Sequence, residues 1–413
     1  MTPRRLYLDN AATSFPKPPC VHEAMTRYAT ELGASPGRGA YAEAREAGRL
    51  LTECRRNLCR LIGADTGRPE QLIFTLNTSD ALNLAIRGVL TGPATRRSTT
   101  SSAATGMAHV ITTSLDHNSV LRPYNALVDS LGVRQTRVAC DPQTGLVDPA
   151  DIHAAIEPNT RLIAVVHGSN VTGTLQPIRE IGRIAREHDI PFLVDAAQTL
   201  GHVPLDVDAD FIDLLAFPGH KGLLGPLGTG GLYIRPGIEA RMATVREGGT
   251  GSVSEQDTQP EFLPDRFEPG SHNAIGIIGL GAAVEWILKR GVDNLWLHEQ
   301  ELIRAFLGGL GEGDFPGLTL FGPQGVKHRC GVFSVRVESF AQPQALSDLL
   351  EREYGILTRS GIHCAPLAHQ TFGTHSIGGM TRFSVGPFIT VQDVRYACDA
   401  LGQICHQHAA AKV

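Results

Sequence analysis

The 413-residue sequence predicts an α/β protein, with a large domain on a mainly parallel sheet followed by a smaller α+β domain. Three observations carry this reading. Short apolar runs at 71–75, 109–113, 162–166, 192–194 and 211–217 alternate with helical segments. None of these runs alternates polar with apolar residues, which suits parallel strands buried on both faces. From about Gly276 the rhythm changes to long helices separated by strands whose side chains do alternate. So long a chain exceeds what one hydrophobic core serves. Two domains are expected, 15–285 and 286–413, with residues 1–14 packing near the site or the small domain.

The strand at 71–75 leads through Asn77-Thr78-Ser79-Asp80 into an amphipathic helix over 81–90. Hydroxyls and free backbone N–H groups at such a terminus bind phosphate, or the same hydroxyls simply cap the helix. Thr95 to Gly106, rich in Ser and Thr, reads as a mobile low-complexity loop. After the strand at 109–113 comes Asp116-His117-Asn118-Ser119, where His117 either lies against an aromatic cofactor or only starts a helix. The run 162–166 opens into His167 to Thr174, another polar strand end. Ile178, Ile181, Ile184 and Ala185 then share one helix face, and that helix stops before Pro191. In Phe192-Leu193-Val194-Asp195 a carboxylate stands at a strand's C-terminal end, where open α/β sheets bind ligands. It either pairs with a cation such as a protonated pyridine nitrogen or caps the next helix. Phe217-Pro218-Gly219-His220-Lys221-Gly222 sets a lysine on a Gly-rich turn. That lysine is either a desolvated Schiff-base nucleophile or a solvated turn residue. No G-x-G-x-x-G opens a helix after an early strand, so a dinucleotide loop has little support.

In the C-terminal part, helices are expected at 276–290, 294–307, 344–354 and 391–408. The strands 332–337 and 380–385 alternate as antiparallel strands with one solvated face do. Arg359 to Pro366 places Cys364 beside His and Arg in a Gly/Pro-bounded loop. A thiolate persists in such surroundings, unless the thiol is buried and inert. Arg382 is a candidate clamp for a carboxylate, with a surface ion pair as the plain alternative.

Composition narrows the classes. Lys+Arg at 37 against Asp+Glu at 42, a net charge of −5, argues against a nucleic-acid surface. No apolar stretch approaches the roughly 20 residues of a membrane helix, and the N-terminus lacks a signal peptide's apolar region. A cytoplasmic protein is expected. Eight irregularly spaced cysteines form neither a disulfide framework nor a zinc pattern, so no metal is expected. Cys54, Cys59, Cys398 and Cys405 read as small buried hydrophobes.

Taken in order, eight segments resemble the class V aminotransferase family of pyridoxal-phosphate enzymes, in its cysteine desulfurase and selenocysteine lyase branch. They are Tyr7 to Ser14, Asn77-Thr78-Ser79, Asp116 to Ser119, Ser169 to Gly173, Val194 to Gln198, Gly219-His220-Lys221, Phe267 to Asn273 and Arg359 to Cys364. The resemblance runs nearly end to end. It implies the aspartate aminotransferase type of fold, fold type I, with two active sites at a homodimer interface. By position it makes Lys221 the Schiff-base lysine, Asp195 the partner of the ring nitrogen, Gln198 the contact to the ring hydroxyl and His117 the stacking residue. Thr78, Ser79 and His220 would hold the phosphate, with Ser271 of the partner subunit. Asn170 and Arg382 would hold the substrate carboxylate, with Arg359 nearby.

Two positions depart from the family pattern. Pro218 stands where a hydroxyl residue is often found, removing a phosphate donor and a backbone N–H, and Ser271 stands where Thr is more usual. The implied activity converts L-cysteine to L-alanine, with a persulfide formed on Cys364. The sulfur then passes to an unidentified acceptor, in sulfur mobilisation such as iron–sulfur cluster assembly. A selenocysteine lyase or another class V C–S lyase or aminotransferase is the nearest alternative. Transaminases need no thiol, so Cys364 counts against them. A nucleotide-binding module using the Gly-rich turn is the alternative from another class.

Overall fold

The computed structural model describes residues 5–37, 39–93 and 107–410. The loop expected over Thr95 to Gly106 lies outside them. Strands are numbered β1 (Leu6–Tyr7), β2 (Leu72–Thr75), β3 (His109–Thr113), β4 (Arg134–Val138), β5 (Thr160–Val166), β6 (Phe192–Asp195), β7 (Leu214–Pro218) and β8 (Gly230–Ile234). They continue with β9 (Leu318–Phe321), β10 (Val332–Val337), β11 (Ile356–Leu357), β12 (Arg359–Gly361) and β13 (Met380–Ser384). Helices are α1 (Pro19–Arg27), α2 (Ala42–Leu61), α3 (Thr78–Leu90), α4 (Asn118–Leu131), α5 (Pro149–Ala154) and α6 (Ile178–Glu187). The later ones are α7 (Ala274–Arg290), α8 (Val292–Glu312), α9 (Pro343–Tyr354), α10 (Pro366–Thr371) and α11 (Val391–Ala410).

A seven-stranded sheet runs in the order β2-β8-β7-β6-β5-β3-β4. Its ladders are parallel except those made by β8, which runs antiparallel to both β2 and β7. Apart from the exposed edge strand β4, both faces are dry, as the apolar runs require. Ile163, Val165 and Val194 pack with α1, α2, α6 and α7, whereas Leu162, Ala164 and Leu193 pack with α3 and α4. The run expected to begin at Phe211 becomes strand only at Leu214. Phe211 adopts a left-handed φ of 57°, and the Asp213 carboxylate turns aside to accept the Phe192 N–H at 2.9 Å.

The second sheet is antiparallel, β12-β13-β10-β9. The solvated face expected for β10 and β13 is not found, because nearly every residue of both strands is buried. Phe306 from α8 stacks on Phe333 from β10 with centroids 4.1 Å apart, in a core shared with α11. The polar side chains meet other protein instead of water: Ser334 bonds the Val171 carbonyl and Arg382 the Asn170 carbonyl. Polar alternation here marks a face turned toward another part of the chain. The N-terminal segment joins the parts, since β1 pairs with β11 and Asp9 bridges to Ser384.

Candidate active site

The ends of β2, β3, β5, β6 and β7 open on one edge of the large sheet, and the site is assembled there. At the start of α3 the Asp80 N–H bonds Asn77 Oδ1 at 3.0 Å, so the N-cap is Asn77 and not one of the hydroxyls. Thr78 and Ser79 are thereby released from capping, beside a helix terminus that favours anions. Gly230 lets this turn approach β8: a Cβ there would lie 2.9 Å from Asn77 Cα. His117 caps α4, its Nδ1 accepting the Ser119 N–H at 3.1 Å. Ser119 Oγ then lies 2.9 Å from that nitrogen and 2.6 Å from Ser79 Oγ, linking the two helix starts. Burial, with Lys221 and nearby arginines, lowers the His117 imidazolium to about 4, so the ring is neutral. Behind it Asp116 accepts the N–H groups of Thr113 at 2.6 Å and Val166 at 3.0 Å, fastening β3 to β5.

At the end of β6, Asp195 is 3% exposed. No helix follows for it to cap; its Oδ1 accepts the Ala197 N–H at 2.9 Å. Burial raises its carboxyl, opposed by that bond and by Lys221. Gln198 Nε2 donates to the Ala11 carbonyl at 3.0 Å. Lys221, at the turn after β7, is partly buried, and burial lowers its ammonium to about 8 against the pull of Asp195. It is not a solvated turn residue. Burial and the charge on Lys221 take the His220 imidazolium to about 4, and its Nδ1 is buried without a partner.

The other wall comes from the small sheet. Arg382 is 2% exposed and is no surface ion pair. Its Nη1 donates to the Asn170 carbonyl at 3.0 Å and its Nη2 to Asp9 Oδ1 at 2.7 Å, while Nε has no partner. Arg359 lies opposite Arg382 in the β12–β13 register, with an exposed side chain. Cys364 is exposed, unlike an inert core thiol. His363 and Cys364 both take left-handed φ, 51° and 57°, a conformation costing non-glycine residues of order 1 kcal/mol each. Two bonds hold them there: Asn170 Nδ2 to the His363 carbonyl at 2.6 Å, and the Asn118 N–H to the Cys364 carbonyl at 2.8 Å.

A cavity of about 270 Å³ is lined by Thr78, Ser79, His117, Asn170, Asp195, Gln198, His220 and Lys221. Cys364 is tied to its rim through the neighbours of His117 and through Asn170. Ser271 is exposed and lies outside this cavity, in a loop anchored by the buried Arg55–Glu268 pair, Nη1 to Oε1 at 2.7 Å. Ser119, Asp116 and Asp9 acquire roles that sequence reasoning did not give them. A hydroxyl two residues after a cap histidine was the available signal for Ser119; Asp9 had none.

The family model for aminotransferase class V matches residues 6–396. The chain belongs to the class V aminotransferase family. Within it, a Methanothermobacter thermautotrophicus protein named "Probable cysteine desulfurase" is 34% identical over 97% of this chain and 94% of its own length. The cysteine desulfurase IscS of Dictyoglomus turgidum is 31% identical, with 97% and 94% covered. Among solved structures, the apo cysteine desulfurase of Thermococcus onnurineus superposes with a TM-score of 0.86 at 30% identity, covering 98% of this chain and 95% of that one. The class V aminotransferase fold thus extends over the described chain, with the seven-stranded mixed sheet and the antiparallel second sheet included.

Proposed function

We propose that this chain is a pyridoxal-phosphate-dependent cysteine desulfurase, converting L-cysteine to L-alanine and passing the sulfur from Cys364 to an acceptor. One observation carries the reading: an exposed cysteine is fixed beside a cavity that contains a desolvated lysine and a buried aspartate. The names of the relatives and of the structural neighbour support it.

The cavity's chemistry fits the cofactor. Asp195 offers a buried acceptor for a protonated ring nitrogen, Gln198 an amide for the ring hydroxyl, and His117 a neutral ring for stacking. Thr78, Ser79 and the α3 terminus would supply phosphate donors, and the unpartnered Nδ1 of His220, protonated in that tautomer, would donate a further bond. Pro218 adds no donor. When bound, pyridoxal phosphate supplies an electron sink that weakens the bonds at the amino acid's Cα. Lys221, with its ammonium lowered to about 8, would hold the cofactor and, once the substrate amine has freed its own amine, would take the α-proton. Arg382 and Asn170 would hold the substrate carboxylate, Arg382 through an Nε that is buried without a partner, with Arg359 adding positive charge. The Cys364 thiolate bonds the substrate sulfur as the substrate's Cβ–S bond breaks. The electron pair stays with the carbon skeleton, which takes up protons to become alanine, and Cys364 is left as a persulfide. Ser271 of the partner subunit would complete the phosphate site in a homodimer.

The Cys364→Ser variant tests this. Alanine released from cysteine should fall by roughly a thousandfold or more, while the bound cofactor's absorbance is unchanged. Wild-type turnover by this variant would end the persulfide route. Reduction with borohydride followed by mass mapping should place the cofactor on Lys221.

A further inference from the structure

Lys221 borders two cavities. The first is the site above; the second, of about 50 Å³, lies toward the small domain and is also lined by Gln198, His202, Glu299 and Cys330. In it His202 Nδ1 is hydrogen-bonded to Glu299 Oε2, and Glu299 Oε1 accepts the Gly331 N–H at 2.6 Å. One carboxylate of α8 therefore grips both the turn that follows Gln198 and the start of β10. The His202 backbone N–H bonds the Thr199 carbonyl at 3.3 Å, making the imidazole part of that turn. Its ring also rests on the residue after Lys221: a Cβ at Gly222 would stand 2.5 Å from His202 Cδ2 and 2.5 Å from the Leu200 carbonyl oxygen. Only glycine allows this contact. No step of the proposed reaction uses either partner of the pair.

We propose that the His202–Glu299 ion pair is the clamp by which α8 fixes the Gln198 turn and the Lys221-Gly222 turn against each other, so that both are positioning residues for Lys221. The inference rests on the proposed use of Lys221. The pair is mostly withdrawn from water, with the two side chains 21% and 9% exposed, and a pair of this kind can specify one geometry more than it adds stability. Glu299 outweighs burial and raises the His202 imidazolium above its ordinary 6.5. The other titratable groups around the pair are Lys221, His298 and Cys330 in the cavity wall and His167 at the end of β5. By linkage, the stability from the charged pair is complete below about pH 6.5 and is lost as pH rises through the raised folded value.

Glu299→Gln and His202→Gln, singly and together, test the clamp in the cofactor-loaded protein. The pH midpoint of the cofactor's absorbance change should move by about half a unit or more, and kcat should fall on the order of tenfold with KM for cysteine within about twofold. The double variant should be no worse than the poorer single one. In the cofactor-free chain the loss of thermal midpoint above pH 6.5 should be flattened in each variant. An unmoved absorbance midpoint beside an altered unfolding profile would make the pair merely structural and overturn the proposal. If the wild type releases no alanine, the desulfurase reading falls, and the absorbance and unfolding profiles still decide the clamp. If Glu299→Gln does not fold, His202→Gln, which retains an N–H toward Glu299, carries the comparison.

Discussion

Burial lowers the Lys221 ammonium from its ordinary 10.5 to about 8, with Asp195 and Asp9 opposing and Arg382 and Arg359 assisting. In the proposed reaction, this puts a proton acceptor within reach of neutral pH. For stability the same shift is a cost. Between about pH 8 and 10.5 the unfolded chain binds this proton and the folded chain does not, so stability rises with pH across that window and is lowest below it. Replacing Lys221 with Met should therefore stabilise the cofactor-free chain near pH 7 by about 3 kcal/mol and flatten the rise from pH 8 to 10. Urea unfolding at several pH values measures this, and a variant less stable than wild type at pH 7 would contradict it. Cys364 carries a cost of another kind, a strained left-handed backbone kept in place by Asn118 and, through His363, Asn170, with the thiol exposed.

The N-terminal segment is the element that joins these residues. From β1 onward it gives Asp9 to Arg382, the Ala11 carbonyl to Gln198, and Thr13, Ser14 and Lys17 to the carbonyl of His220. The Lys17 amine reaches that carbonyl at 2.9 Å and is lowered to about 8 by burial. Asp9→Ala should leave one edge of a buried guanidinium unpaired and free to turn. KM for cysteine is expected to rise about tenfold or more, from the loss of one charge-assisted bond of about 1.5–3 kcal/mol. Steady-state kinetics checks this, and an unchanged KM would mean that the Asn170 carbonyl alone orients Arg382. Elements of this kind were unevenly legible in the sequence. The runs at 162–166 and 192–194 stood out because burial on both faces leaves an unbroken apolar stretch. The start of β7 did not, since a backbone excursion at Phe211 carries no composition signal. The inward polar faces of β10 and β13 read as solvated because sequence shows polarity and not what meets it. The cavity residues could be named from strand-end motifs and the family resemblance. Asp9 with Arg382, and His202 with Glu299, could not, because only the folded chain brings such distant positions together.

In the whole molecule the site lies at a junction, with the large sheet supplying lysine, aspartate and helix terminus and the small sheet supplying arginine and cysteine. The end of the cavity proposed to take the phosphate is its open side. Ser79 there is exposed, and Leu76 and Leu227, beside the paired ends of β2 and β8, are 55% and 68% exposed. Leucines left this bare next to a binding site suit coverage by another protein surface, here proposed to be a second copy of the chain. In a twofold interface each leucine is buried twice, and each burial contributes about 1.5–3 kcal/mol. Leu227→Glu should therefore weaken the dimer by roughly a hundredfold or more, with two carboxylates forced into the contact. Sedimentation should show monomers of the variant at concentrations where the proposed wild-type dimer persists. The phosphate end, lacking Ser271 of the partner subunit, should also release cofactor more readily on dialysis. A wild-type chain that stays monomeric at micromolar concentration while holding its cofactor would show that one copy completes the site alone.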